Sequence, residues 1–183
     1  WRMACLVELC RAAGVPQPIV CQPNYNAMNR MPEVEVLPCC AHYGLAVVPY
    51  SPLARGVLTG KYPPGAAPPA ETRAGRGDKR MMQTEFRPES LAMAQRIKDH
   101  AERRGMTAGQ FAVLWVLNNR MVTGVIAGPR TLAQWQDYAG ALAHTFTAED
   151  EALIDKLVPI GHPSTPGYSD PQYPIEGRVA MTG

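Results

Sequence analysis

At 183 residues, the chain is long enough to bury a core but short for a closed eight-stranded α/β barrel. Its 18 Lys and Arg against 16 Asp and Glu leave a net charge of +2, which removes the electrostatic case for nucleic acid or an acidic membrane surface and favours a small neutral partner. Five cysteines with no CxxC spacing read as reduced thiols, no apolar run is long enough to span a bilayer, and no basic and apolar leader opens the chain, so the expected location is the cytoplasm.

The chain opens on Trp1 rather than Met and runs straight into an amphipathic pattern, so further sequence upstream is expected. Leu6, Leu9, Cys10 and Ala13 fall at helical spacing between Met3 and Ala13, and Gly14 stands where a left-handed C-terminal residue is wanted. Pro18 to Gln22 is a short apolar run that turns polar at its end, as a buried parallel strand does at the rim of a sheet. A second helical pattern runs from about Met31 to Tyr43 and ends at Gly44, with Pro38 implying a kink or a late start. Leu45 to Tyr50 repeats the strand signal. Helices are then predicted over Pro88 to Arg104 and over Thr107 to Asn119, with Thr107 as an N-cap. Val122 to Ala127 reads as a third strand, followed by helices over Thr131 to Ala143 and Thr147 to Val158. The last of these opens on a near capping box, with Asp150 where Glu or Gln is preferred.

Alternating helices and strands predict an α/β fold with one parallel sheet. Three strands leave two open edges and no hairpin pattern to cover them, so the expectation is one part of a larger sheet or barrel. Between Pro63 and Arg87 lies a long Pro- and Gly-rich loop with few apolar anchors and basic residues Arg73, Arg76, Lys79 and Arg80, either a lid or a linker. From about Pro159 the chain reads as an irregular tail.

In parallel α/β folds, ligands sit beyond the carboxyl ends of the strands. Here those ends are Gln22-Pro23-Asn24-Tyr25-Asn26, Tyr50-Ser51-Pro52-Leu53 and Gly128-Pro129-Arg130-Thr131. Arg130 offers a fork for phosphate, and Thr131 opens a helix whose free N–H groups favour an anion. Gln134, Asp137 and Tyr138 follow on the same helix face, beside where an adenosine 2′-phosphate would lie. The plainer alternative pairs Arg130 with Asp137 or solvent. Tyr50 can stack on a flat heterocycle, or be a rim residue of the core. Gly56 to Lys61 is not a P-loop, because its glycines are one residue too close and Tyr62 stands where Ser or Thr must hold magnesium. His42, His100, His144 and His162 are scattered without metal-ligand spacing, there is no nucleophile elbow, Glu33 and Glu35 are expected on solvated faces, and Trp115 is expected in the core.

Taken together, the run from Gln22 to Asn26 with Arg30 and Glu35, the run from Tyr50 to Tyr62, and Gly128 to Thr131 with Gln134 and Asp137 resemble the aldo-keto reductases. The branch resembled includes bacterial general-stress reductases and potassium-channel β subunits, and Tyr168, Asp170-Pro171 and Tyr173-Pro174 look like the end of such proteins. The resemblance implies a (β/α)8 TIM barrel of which residues 1–183 are the C-terminal part, about strands six to eight, binding NADP(H) and reducing a small carbonyl compound by hydride transfer. It implies that Gln22 bonds the nicotinamide carboxamide and Tyr50 stacks on the ring. Ser51, Pro52, Leu53, Gly56, Leu58 and Lys61 would line the pyrophosphate, and Arg73 would sit in a covering loop. Gly128, Arg130, Gln134, Asp137 and Tyr138 would hold the 2′-phosphate and adenosine, with Tyr138 where the family more often has Asn.

The family's catalytic Asp, Tyr, Lys and His come from earlier strands and have no match here, so no catalytic residue is assigned and the isolated chain is expected to be inactive. The competing expectation is a non-catalytic nucleotide-sensing or partner-binding module similar to a channel β subunit. The substrate and the oligomeric state are left open by these motifs.

Overall fold

The computed structural model describes residues 1–177 and 181. Helix α1 (Arg2–Ala13) stops where Gly14 turns left-handed at φ 67° and lets its own N–H and that of Val15 return to the carbonyls of Arg11 and Cys10. Strands β1 (Val20–Cys21) and β2 (Ala46–Val47) pair in parallel, Val20 opposite Ala46 and Cys21 opposite Val47. They are shorter than the sequence suggests because Pro18, Pro23 and Pro49 flank them and have no N–H to give. Between them, α2 (Val36–Tyr43) starts late, after a single 3-10 turn at Met31–Glu33, which leaves Pro38 in the first helical turn where no N–H is needed.

The third predicted strand is corrected to an extended segment beside β2. The Thr123 hydroxyl, not a backbone carbonyl, accepts from the Val47 N–H at 3.2 Å, which interrupts the ladder. The N–H groups of Thr123 and Ile126 still reach the carbonyls of Val47 and Pro49, each at 2.8 Å, and Tyr50 bridges in parallel to Asn24 on one side and Ile126 on the other. Three parallel segments therefore lie in chain order, with their carboxyl ends together.

Residues 63–87 are not wholly irregular. Asp78 accepts from the Met81 N–H at 2.9 Å and caps the short helix α3 (Lys79–Gln83), whose Met81 is fully buried. Helices α4 (Pro88–Arg103), α5 (Ala108–Leu117), α6 (Leu132–Gly140) and α7 (Ala148–Leu157) follow as predicted, within a few residues. Thr107 and Thr147 both close capping boxes, the second with Asp150 in place of Glu. Helix α5 is buried on almost all sides through Phe111, Ala112, Leu114, Trp115 and Val116, and packs with Ile97 of α4 and Ile154 of α7 in one core. Each such large side chain contributes roughly 1.5–3 kcal/mol of transfer free energy when sealed.

Two charge networks tie distant parts together. Asp150, fully buried, receives His100 Nε2 at 2.7 Å and Arg104 Nη1 at 2.6 Å, pinning α7 to α4. Arg30 binds Glu33 at 3.0 Å and Asp155 at 2.6 Å, and Tyr25 Oη donates to Glu33 at 2.8 Å, so Glu33 is not the solvated residue expected. Among the described residues the tail from Pro159 forms no helix, but it is anchored. Ser164 is buried against Ser90 at 2.8 Å, and Arg87 donates to Thr165 at 2.7 Å and stacks on Tyr168 at 3.8 Å.

Candidate functional site

At the carboxyl ends of β2 and of the extended segment beside it lies a cleft of about 280 Å³. Its first wall is Tyr50, Ser51, Pro52, Leu53, Arg55, Gly56 and Lys61, and its second is Ile126, Ala127, Gly128, Arg130, Gln134 and Tyr138, with Arg73 reaching in from the loop. The wall after β2 is made by an unusual backbone. Ser51, Ala54 and Arg55 have φ of 58°, 46° and 54°, and Gly56 follows at 95°. Left-handed non-glycine residues cost roughly 1–2 kcal/mol each and persist where surrounding structure over-determines them. Here Asn26 Nδ2 holds the Ser51 carbonyl at 3.0 Å, and Gln95 Nε2 holds the Gly60 carbonyl at 2.9 Å.

The cations of the cleft are placed by local geometry. Lys61 Nζ lies over the ring of buried Tyr62, 5.2 Å from its centroid. Arg73 faces Asp78 at 3.7 Å, and Arg55 Nε lies 3.1 Å from Glu85 but off the hydrogen-bond line, so the two are paired by charge more than by hydrogen bonding. The Arg130 guanidinium has no carboxylate partner among the described residues, and Asp137 instead accepts from Thr107 Oγ1 at 2.9 Å, so the plain Arg130–Asp137 pairing does not form. At the start of α6 the Thr131 hydroxyl caps the Gln134 N–H at 3.2 Å, and Gln134 Oε1 accepts the Arg130 N–H at 2.7 Å. Burial pushes the Tyr138 phenol up, with Asp137 adding to the effect, which keeps it a neutral hydrogen-bonding group. A side chain at Gly128 would meet no protein atom within 4 Å and would stand in open space.

Of the residues singled out from sequence, the cleft gathers Tyr50, Ser51, Pro52, Leu53, Gly56, Lys61, Arg73, Gly128, Arg130, Gln134 and Tyr138. Leu58 is sealed in the core beneath, Gln22 is exposed at the end of β1, and Asp137 faces a neighbouring depression. That depression, at the start of α5, is larger at about 630 Å³ and wider open, but no strand end reaches it, so the cleft is the better site. Sequence reasoning missed Arg55, whose side chain sits between glycine-like backbone and Glu85. The signal available was its place in the Ser51 to Gly56 turn.

A sequence model of the Aldo/keto reductase family matches residues 3–159, and the chain belongs to that family. The family is one of (β/α)8-barrel oxidoreductases that generally use NAD(P)H. Among similar proteins, "L-glyceraldehyde 3-phosphate reductase" of Escherichia coli (strain K12) is 32% identical over 164 residues, covering 85% of this chain and 46% of that protein. "Probable voltage-gated potassium channel subunit beta" of Arabidopsis thaliana is 36% identical over 121 residues, 66% of this chain and 37% of that protein. "Aflatoxin B1 aldehyde reductase member 2" of Mus musculus is 48% identical over 62 residues, 34% of this chain and 17% of that protein. The chain thus spans less than half the length of the curated relatives it matches. Among the described residues, no helix is long and apolar enough to cross a membrane, and no cluster of His, Cys, Asp or Glu is placed to hold a metal ion.

Proposed function

We propose that residues 1–183 are the cofactor-holding C-terminal portion of an NADP(H)-dependent carbonyl reductase, contributing about the sixth to eighth βα units of the barrel. The observation that carries this reading is the convergence of Tyr50, Lys61, Arg73, Arg130 and Gln134 on one cleft at parallel strand ends. The residues fit the group. Tyr50, about two-fifths exposed, offers a ring to a nicotinamide, and the turn from Ser51 to Gly56 with Lys61 suits a pyrophosphate. Arg130, just ahead of α6 and with no carboxylate partner among the described residues, suits a 2′-phosphate, with Gln134, Tyr138 and Asp137 beside the adenosine, Gln22 near the carboxamide, and Leu58 supporting the turn from below. When bound, the cofactor supplies a hydride to a small aldehyde or ketone. This chain's part is to bind, orient and exclude water, and the proton donor belongs to strands outside it, in a protein of the cytoplasm.

The test is a titration of the 183-residue chain followed by NMR, with adenosine 2′,5′-bisphosphate compared with adenosine 5′-monophosphate. The wild type is expected to prefer the bisphosphate, weakly, and Arg130→Ala to lose that preference by about tenfold, the worth of one charge-assisted pair. Equal losses for both ligands would sink the 2′-phosphate role. Carbonyl turnover by the chain alone would sink the division of labour. The similarity to a channel β subunit supports a second reading, a nucleotide-sensing module with the same cleft. Extending the chain upstream and finding cofactor binding without turnover would favour it.

A further inference from the structure

The short helix α3 touches the tail directly and, through Glu85 just past its end, reaches Arg55 of the cleft wall. On the cleft side, Glu85 lies just past its end, 7% exposed, with its carboxylate against Arg55 and the Thr84 hydroxyl. On the tail side, Arg80 forks Asp170, with Nη1 to Oδ1 at 2.7 Å, and lies over the Tyr173 ring at 5.8 Å. The Tyr168 hydroxyl donates to the Gln83 carbonyl at 3.3 Å, and the Thr84 hydroxyl donates to the Arg80 carbonyl at 2.6 Å. Thr84 and Glu85 also line a smaller, half-open cavity of about 110 Å³, together with Asn24, Tyr168 and Asp170. Arg55 lines the cleft and Glu85 lines that cavity, so their contact joins the two.

A carboxylate this buried is costly unless matched, and Arg55 is held at a φ that a long side chain rarely adopts. Glu85 lies against the buried Nε and so fixes where the guanidinium sits, while Nη1 and Nη2 make no hydrogen bond among the described residues and the side chain lines the cleft. The hydrogen bonds from Arg80 hold the Asp170 carboxyl below the usual range, so the tail contact is a charged one at neutral pH.

We propose that α3 is a clasp: through Glu85 it positions Arg55 as a further ligand for a phosphate-bearing group in the cleft, and through Arg80 and Asp170 it makes that position depend on the seated tail. This deepens the cofactor reading and rests on it. The clasp links two sites through side chains that touch in sequence, so a change at the tail is felt at the cleft through one guanidinium.

The experiment titrates the 183-residue chain with inorganic pyrophosphate, with the melting temperature of each variant as a check on folding. Arg55→Ala is expected to weaken pyrophosphate about tenfold, Glu85→Gln about fivefold and Asp170→Asn about threefold, scales set by one charge-assisted contact and its support. In the Arg55→Ala background the other two substitutions should add nothing, because they act through that side chain, whereas general structural damage would add in full. If Glu85→Gln does not fold, the Arg55 and Asp170 cycle alone decides. Additive losses, or an Arg55→Ala variant that binds like wild type, overturn the clasp and leave the cofactor reading standing. A wild-type chain that binds neither pyrophosphate nor adenosine 2′,5′-bisphosphate overturns both.

Discussion

Around α4, α5 and α7 the charges are buried and matched, whereas at the strand ends they are open and mostly of one sign. Asp150 lies fully sealed between His100 and Arg104, and the helix that carries it is capped by the same carboxylate. In the cleft, Lys61, Arg73 and Arg130 line a space with no carboxylate in its walls among the described residues, and the backbone after β2 holds three non-glycine residues left-handed. One region is arranged to lower its own free energy, and the other keeps open charge and backbone strain. Stability should therefore be lost by mutating the first and gained by relaxing the second.

The largest effect is expected from Asp150→Ala, which leaves Arg104 and His100 without their partner and removes the capping box. The loss should be about 3 kcal/mol in a urea titration, at the lower end for a broken buried pair because Arg104 is partly exposed. A loss below about 1 kcal/mol, the ordinary worth of a cap alone, would show that the pair is not holding the helices.

Acid should weaken two paired carboxylates, Asp150 of the helix core and Asp170 of the tail. Burial raises the Asp150 carboxyl, but hydrogen bonds from His100 and Thr147, with the charge of Arg104, outweigh it and hold the group below its usual value. Asp170 is lowered first by Arg80. With both folded values depressed, the unfolded chain binds more protons as pH falls, so their contributions are present above the ordinary carboxylate range and are lost below it. A melting curve that falls between about pH 5 and pH 2, with a smaller fall in the Asp170→Asn variant, is the expected result. A flat profile would contradict it.

The smallest effect has the opposite sign. Ser51→Gly removes a side chain from a φ of 58°. It should stabilise the chain by less than about 1 kcal/mol, the relief of left-handed strain minus the entropy of glycine. Destabilisation would mean that the Ser51 side chain has a role the backbone geometry does not express.

The helices were legible because their ends carry local chemistry. Gly14, Gly44, Thr107 and Thr147 each mark a boundary by their own conformational or hydrogen-bonding preference. The strands were legible as apolar runs but not in length, since flanking prolines and the Thr123 hydroxyl decide where a ladder can close. Tyr50 to Leu53, Gly128 and Arg130 could be chosen from strand ends and line the cleft, and Arg73, chosen only through the family resemblance, lines it too, whereas Gln22, Leu58 and Asp137 do not. The partners of Arg30, 125 residues away at Asp155, and of Arg80, 90 residues away at Asp170, leave no trace in local pattern. Helix α3 was missed because Met81 is its sole sealed residue, although Asp78 just ahead of it was a usable cap signal.

The stretch from Pro63 to Ala70 is almost wholly exposed and separates Lys61 from Arg73. A protease nick there would put the two walls of the cleft on different polypeptides, one ending soon after buried Tyr62, the other beginning just before the clasp. The pieces would stay joined by Gln95 on the Gly60 carbonyl and by the Tyr62 and Phe86 rings, 5.4 Å apart. Such a chain could be separated in denaturant and reassembled from halves, and recovery of phosphate binding would report that each half had found the other in register.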